Sequence, residues 1–205
     1  QTLWLKAVKG YALTNGYDSI LNPYMPGGSN YRGFNAGGVL NLVVDGVLTV
    51  DGRIYADGAD PRGGDSTADG QAAGAGGSIN IVAGELAGTT GSITANGGSA
   101  RYTYAGGAGG GRIAIRLTGE DSVFTDYWRT NITAYGFSFA TGKHGRDSSA
   151  GTVYLQDGTM PEAAGEVIIY NDFALQPEAI NNLCTTRYPG NGEGCDVPET
   201  LKATS

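Results

Sequence analysis

The chain has 205 residues, of which 36 are glycine and only 16% are charged, and its net charge is −7. The 13 basic residues are scattered, and no patch of them would neutralise consecutive phosphates, which argues against a nucleic-acid partner. No apolar run reaches the length needed to cross a bilayer, so we expect no membrane span. Glycines interrupt nearly every window of ten residues, which disfavours helices and predicts an all-β chain.

A pattern of glycine followed by alternating apolar residues returns five times, near residues 1, 38, 77, 111 and 151. Fixed periods of this length are typical of solenoids, propellers and arrays, whose units bury their apolar faces only by stacking. Side chains alternate between the two faces of a strand. We therefore expect inward pairs at Leu3/Leu5, Leu40/Leu42, Ile79/Ile81, Ile113/Ile115 and Val153/Leu155, with Trp4, Asn41, Asn80, Ala114 and Tyr154 pointing outward.

A second column follows the same period, with an apolar residue, then Asn or Asp three positions later, and usually glycine next. Asn and Asp favour turns, so stacked copies predict a ladder of side chains at one repeated corner. The alternative is that these are ordinary hairpin turns, which would be expected at shorter spacing. One copy departs from the rule, with Tyr135 before Gly136. The ladder residues are Asn15, Asp57, Asn96 and Asn171.

Four long loops, at 16–37, 58–76, 97–110 and 136–150, leave from this corner, so they should cluster on one side of a stack of about five coils. The predicted architecture is a β-solenoid. Aromatic residues in two of the loops favour a face for sugar rings or another protein. The alternative is that they fold down to cover the flank of the stack. These residues are Tyr102, Tyr104, Phe137 and Phe139.

Two polar stretches could carry chemistry. The first holds Asp57, Asp60, Asp65 and Asp69, whose carboxylates are Ca²⁺ ligands, but it lacks the spacing of a calcium loop and a solvated loop is the alternative. The second, 143–147, gathers Lys143, His144, Arg146 and Asp147, and a single cluster of this kind is typical of an exposed loop tip. No nucleophile elbow or phosphate-binding loop appears. We therefore predict a protein that is not an enzyme and has no cofactor, with Ca²⁺ as the one candidate ion.

The residues after the repeats, 173–205, form a separate segment that we expect to cap the last coil or to contact a neighbouring subunit. Its one helical stretch is 176–183. Cys184 and Cys195 flank a short turn-rich loop, which indicates a disulfide and an oxidising compartment, with reduced thiols as the alternative. A zinc site is disfavoured because His144 is the single histidine of the sequence.

The segments Gly74–Ile81, Gly91–Gly98, Gly106–Ile115 and Ala150–Leu155 resemble the glycine-rich repeats of right-handed parallel β-helix proteins, particularly large secreted or surface-attached adhesin-like bacterial proteins. The likeness covers residues 36–172 well and the first coil more weakly. It implies a right-handed parallel β-helix over 1–172, with an irregular segment at 173–205. It says little about chemistry, because this fold hosts lyases, hydrolases, adhesins and passive fibres.

An acidic, weakly charged chain suits an extracellular or cell-surface protein. A start at Gln1, just before a predicted strand, is typical of a processed secreted protein, although a trimmed chain would start the same way. Exposed coil ends favour stacking of copies head to tail. The leading hypothesis is therefore a structural subunit or module of a surface filament or adhesin, forming a homopolymer. The alternatives are a carbohydrate-binding or polysaccharide-cleaving module using the loop side, and a piece of a larger solenoid.

Overall fold

We describe the protein from a computed structural model, over residues 18–29, 35–60, 73–99, 107–137, 148–161, 164–171 and 200–202. Strands dominate these residues, and they contain one short helix, so the all-β prediction is confirmed. The elements in chain order are β1 (Val39–Thr49), β2 (Arg53–Tyr55), β3 (Ser78–Ala87), β4 (Ser92–Thr94), β5 (Arg112–Leu117), α1 (Asp126–Asn131), β6 (Ile132–Thr133), β7 (Thr152–Gln156), β8 (Glu166–Ile168) and β9 (Thr200–Lys202).

The chain alternates between two sheets. The first sheet has the order β1-β3-β5-β7-β8-β9, and the second has the order β2-β4-β6. Strands β1, β3, β5 and β7 pair in parallel, as do β2, β4 and β6. The register pairs Leu40 with Ile79, Ile79 with Ile113, and Ile113 with Val153, so equivalent positions of successive repeats lie next to one another. The repeat therefore sets the pairing of the strands.

The core lies between the two sheets. Alternation along β3 and β5 sends Ile79, Ile81, Ile113 and Ile115 inward, where each is fully buried. Ile93 and Ile132 face them from the second sheet. β-Branched residues of this kind pack well on a pleated surface, which is why the apolar positions form strands rather than helices.

The two sheets approach closely at a corner made of glycine and alanine. The N–H of Gly77 donates to the carbonyl of Ala56, and the same bond recurs between Gly111 and Ala95, at 2.7 Å each. A Cβ on Gly77 or Gly111 would overlap the carbonyl oxygen of the glycine one repeat earlier. Glycine is therefore required at Gly77 and Gly111 by the close approach of backbones at this corner, whereas a Cβ on Gly38, in the first described repeat, would meet no atom within 4 Å.

At the opposite side of the core, the connections between the sheets differ in length. Short turns link β1 to β2 and β3 to β4, whereas fourteen residues link β5 to β6 and include α1. The helix buries Trp128 against the end of the core, and the Tyr127 hydroxyl donates to the carbonyl of Gly91 at 2.6 Å. This helix was not predicted, because a single turn around one tryptophan has no periodic pattern. The predicted helical stretch at 176–183 lies outside the described residues.

The fifth repeat departs from the pattern. Ile168 was expected to continue the second column, but β8 turns back and pairs antiparallel with β7, so it extends the first sheet instead of the second. Val167 of β8 packs on Ala114 and Tyr154, the outward residues of β5 and β7. Both are fully buried, whereas Asn41 is exposed. The outer face of the first sheet is thus apolar at this end, and the packing of Val167 beside Tyr154 on that face favours the antiparallel return.

Candidate functional site

The corner that follows the second sheet carries two residues of the predicted ladder in consecutive repeats. The Asp57 carboxylate accepts hydrogen bonds from the N–H of Asn96 at 2.7 Å and from the hydroxyl of Thr94 at 2.9 Å. One repeat later, Asn96 Oδ1 accepts from the N–H of Tyr135 at 2.7 Å and from the hydroxyl of Thr133 at 3.1 Å. Each side chain therefore bonds the next repeat in the same way.

Asn171 takes a different place in this corner. The N–H of Gly58 donates to the carbonyl of Asn96, and the N–H of Gly97 donates to the carbonyl of Tyr135, both at 2.8 Å. The next glycine in the column, Gly136, donates to the side-chain oxygen of Asn171 at 2.7 Å. An amide side chain thus replaces the backbone carbonyl that another repeat would have supplied. The fourth predicted ladder residue, Asn15, lies outside the described residues.

The stems of the long loops lie side by side. The N–H of Gly98 donates to the carbonyl of Gly74, and the N–H of Phe137 donates to the carbonyl of Ala108. Phe137 itself is half-buried, and its ring lies against Gly107. The other members of the predicted aromatic face lie outside the described residues, namely Tyr102, Tyr104 and Phe139.

Two of the four calcium candidates are described, and protein donors engage both. Asp57 accepts the bonds given above and also pairs with Arg53 at 3.2 Å, whereas Asp60 accepts from the N–H of Ser99 at 2.7 Å. No group of three His, Cys, Asp or Glu side chains suited to a metal occurs among the described residues. The further candidates and clusters at Asp65, Asp69, 143–147, Cys184 and Cys195 lie outside those residues.

A second polar region holds the segment 18–29 on the outer face of the first sheet. The buried Asp18 carboxylate accepts from the N–H groups of Tyr24 and Met25, at 2.5 and 2.7 Å, and lies 3.8 Å from Arg112. Arg116 donates to the carbonyl of Leu21 at 2.8 Å. These contacts hold the segment against β5. The charged groups of Asp18 and Arg116 are thus engaged in hydrogen bonds within the fold.

Arg129 joins two carboxylates at the end of the second sheet. It pairs with Glu166 and lies 3.5 Å from Asp157, whose other oxygen accepts from the N–H of Phe124 at 2.7 Å. Beside this cluster is a groove bordered by Tyr135 and Tyr170, whose rings meet edge to face at 6.1 Å. No pattern in the sequence predicted this grouping, because α1, β6 and the return to β8 bring the residues together from separate segments.

Tyr154, on the outer face of β7, is an ionisable residue whose side chain is fully buried. Burial raises the pKa of Tyr154 above its ordinary value, and the positive charge of Arg116 partly opposes that rise. The hydroxyl donates to the side chain of Gln156 at 3.0 Å. Tyr154 is therefore a packed, neutral side chain with a hydrogen-bond partner, as a structural residue would be.

No helix in the described parts of the chain is long and apolar enough to span a membrane. The chain matches no protein-family model, no curated protein and no solved structure. Function must therefore be inferred from the geometry of the chain itself.

Proposed function

We propose that this chain is a right-handed parallel β-helix that acts as a non-enzymatic structural module of an extracellular or cell-surface assembly. The observation that carries this proposal is the regular parallel pairing of β1, β3, β5 and β7 and of β2, β4 and β6, in which each repeat is hydrogen-bonded to the next at the strands, the glycine corner and the Asp57–Asn96 corner. Right-handed crossing is the strong preference for parallel connections. A stack of this kind is built to hold its shape along one axis.

The use made of the polar side chains supports a structural role. Asp57, Asp60 and Asn96 accept backbone N–H groups, and Asp18 and Arg116 hold the segment 18–29. A hydrolase would instead need carboxyl groups that are free to donate and accept protons at a substrate. These side chains are committed to the fold.

We further propose that copies join head to tail through the first sheet. Among the described residues, the order of this sheet begins at β1 and ends at β9, which belongs to the segment 173–205; the predicted first coil, with Leu3 and Leu5, lies outside those residues. The inward residues Leu40 and Leu42 are only half-buried at the β1 end. Edge strands of this kind pair readily with a strand from another chain. Pairing β9 of one copy with β1 of the next would extend one sheet through a filament.

Light scattering during size exclusion, with negative-stain microscopy of the same sample, tests this assembly. We expect mass to increase with protein concentration and linear particles to form. A chain lacking residues 200–205 should stay monomeric, and its strand signal by circular dichroism should fall by no more than the three residues of β9 contribute. A monodisperse monomer of the full chain at high concentration would contradict the filament. Release of reducing ends from polysaccharides would contradict the non-enzymatic role.

A further inference from the structure

An asparagine followed by glycine is prone to a spontaneous reaction of the backbone. The amide nitrogen of the glycine attacks the side-chain carbonyl carbon of the asparagine, and glycine has no Cβ to hinder that approach. The sequence contains this pair three times, at Asn15-Gly16, Asn96-Gly97 and Asn191-Gly192. Among the described residues it occurs at Asn96-Gly97, in the corner that follows β4.

The reaction would replace the side-chain amide of Asn96 and needs water as its one co-reactant. The Gly97 nitrogen gives up its proton and bonds to Cγ of Asn96, while the bond from Cγ to Nδ2 breaks and Nδ2 leaves as ammonia with that proton. Water then opens the resulting cyclic imide at one of its two carbonyl carbons. Opening at Cγ's side-chain carbonyl gives aspartate, whereas opening at the main-chain carbonyl gives isoaspartate, in which the main chain runs through the side-chain carbons.

In the folded chain the attacking nitrogen is engaged. The N–H of Gly97 donates to the carbonyl of Tyr135 at 2.8 Å, and the next N–H, of Gly98, donates to the carbonyl of Gly74 at 2.9 Å. The glycine is also packed closely, since a Cβ on Gly97 would overlap the carbonyl oxygen of Ala108. The nitrogen therefore cannot lose its proton or move toward the side-chain carbon unless the corner opens.

The carbonyl that would be attacked is held in place as well. Oδ1 of Asn96 accepts from the N–H of Tyr135 at 2.7 Å and from the hydroxyl of Thr133 at 3.1 Å. The main chain of Asn96 is also fixed, because its N–H donates to Asp57 and its carbonyl accepts from Gly58. Both residues of the pair are half-buried, so solvent reaches them and protection must come from the hydrogen bonds.

We propose that Asn96 is a modification site that folding closes, and that it converts to aspartate or isoaspartate only when this corner opens. The two products differ in their effect on the stack. Aspartate keeps the acceptor, as Asp57 does at the equivalent position, so the corner can close again. Isoaspartate adds a methylene group to the main chain between hydrogen bonds spaced by single residues, so the bonds on its two sides cannot both form.

The site would record the opening of the corner. Local opening of a folded chain exposes backbone groups for a fraction of the time, and a slow reaction of the open form accumulates in proportion to that fraction. A chain whose repeats stay paired keeps Asn96. The inference concerns the second sheet of a single chain, so it does not depend on the head-to-tail filament, and either proposal can fail while the other stands.

Peptide mass spectrometry of the full chain measures the reaction, after incubation at mildly alkaline pH in native buffer and in guanidinium chloride. Trypsin releases residues 63–101 as one peptide that holds Asn80 as well as Asn96. Asn80 precedes Ile81, whose side chain hinders the attack, so it should stay unmodified in both samples. We expect Asn96 to convert in guanidinium chloride, and to convert at least about thirtyfold more slowly in native buffer, because opening must first break several hydrogen bonds.

Two threonine variants connect the rate to the corner. Thr133→Val removes one donor to Asn96 but keeps a β-branched residue in β6, and it should raise the native conversion rate about threefold or more. Thr130→Val removes a hydroxyl that bonds within α1, and it should change the rate less than twofold. Thermal unfolding checks that both variants are folded. Should Thr133→Val not fold, Thr133→Ala removes the same donor and should raise the rate equally.

Three results would overturn the closed site. They are a native conversion rate within threefold of the rate in guanidinium chloride, no conversion of Asn96 in guanidinium chloride, and equal acceleration by the two threonine variants.

Refolding of the converted chain tests the two products. Size exclusion separates chains that refold from chains that do not, and peptide fragmentation distinguishes aspartate from isoaspartate at position 96. We expect aspartate in the refolded chains and isoaspartate in the others. Equal proportions of isoaspartate in both fractions would show that the corner tolerates the longer main chain, and this part of the proposal would be wrong.

Discussion

Ile81 and Ile115, in the middle of the first sheet, are fully buried, whereas Leu42, which occupies the same register position in β1, is only half-buried. The glycine corner shows the same contrast. A Cβ on Gly111 would meet backbone, but a Cβ on Gly38 would meet nothing within 4 Å. Equivalent residues thus have different environments, because burial in a stack is supplied by the neighbouring repeats. Sequence position in the repeat alone does not predict the cost of a substitution.

The C-terminal end of the stacked repeats differs from the β1 end in how its strands and backbone groups are paired. There β8 pairs with the edge of β7 and extends the first sheet, and the side chain of Asn171 accepts the hydrogen bond of the Gly136 N–H that another repeat would have accepted. Such features satisfy backbone groups that an abrupt end would leave unpaired. The two ends are therefore chemically distinct, and this polarity is what a head-to-tail junction requires.

The strongest test of this comparison places a charge at equivalent positions. Ile115→Asp should prevent folding, because an unpaired carboxylate in the core costs at least several kcal/mol, as should Ile81→Asp. Leu42→Asp should leave a folded protein with a lower free energy of unfolding, since water reaches this position. Urea unfolding followed by circular dichroism measures all three. Equal stability of Ile115→Asp and the parent chain would refute the inward assignment.

A smaller effect is expected at the glycine corner. Gly111→Ala should lower the free energy of unfolding by about 3 kcal/mol or more, because its Cβ has no space and the opposing atoms are backbone. Gly38→Ala is the matched control and should change stability by no more than about 1 kcal/mol in either direction. Thermal unfolding of the pair distinguishes them. A neutral Gly111→Ala would show that successive repeats do not approach as closely at this corner as described.

The ladder corner offers a conservative pair at one position. Asn96→Ala removes an acceptor shared by Tyr135 and Thr133 and should cost about 1–3 kcal/mol of unfolding free energy. Asn96→Asp keeps that acceptor, as Asp57 does one repeat earlier, and should cost less than half as much. Asn171→Ala leaves the N–H of Gly136 unpaired at the end of the stack. If both Asn96 variants melt at the parent temperature, the corner is a solvated turn.

The sequence supported a large part of this architecture because its signals are local and periodic. Alternation predicted which residues of β3 and β5 face inward, and the glycines and Asx residues marked the corners. The helix α1 was not predicted, because a single buried residue, Trp128, does not produce a periodic pattern of apolar residues. The antiparallel pairing of β8 was also not predicted, because it depends on the apolar patch that Ala114 and Tyr154 form on two different strands. That patch becomes visible only when the register is known.

The groove bordered by Tyr135 and Tyr170 is a consequence of the same long-range event. Arg129, Thr133 and Tyr170 belong to α1, β6 and the residues after β8, and nothing in their spacing connects them. Sequence reasoning favoured residues that recur, and recurring residues in this chain stabilise the fold. The groove lies where the repeat is interrupted, so its residues carry no periodic pattern.

The last test concerns the C-terminal end and the pH dependence of stability. Burial raises the pKa of Tyr154 in the folded chain, so the unfolded chain loses this proton first, near pH 10. The stabilisation that Tyr154 gives through this pKa difference is therefore complete below about pH 10, and it decreases as pH rises through the pKa of the folded chain. Tyr154→Phe should lower the free energy of unfolding by about 1 kcal/mol at pH 7, because the hydrogen bond to Gln156 is lost. Above pH 10, the free energy of unfolding of this variant should decrease less with pH than that of the parent chain. Urea unfolding at pH 8 and 11 measures the slope. Tyr55→Phe, at an exposed position, should keep the parent slope, and a parent-like slope in Tyr154→Phe would mean that this phenol is not buried in the folded chain.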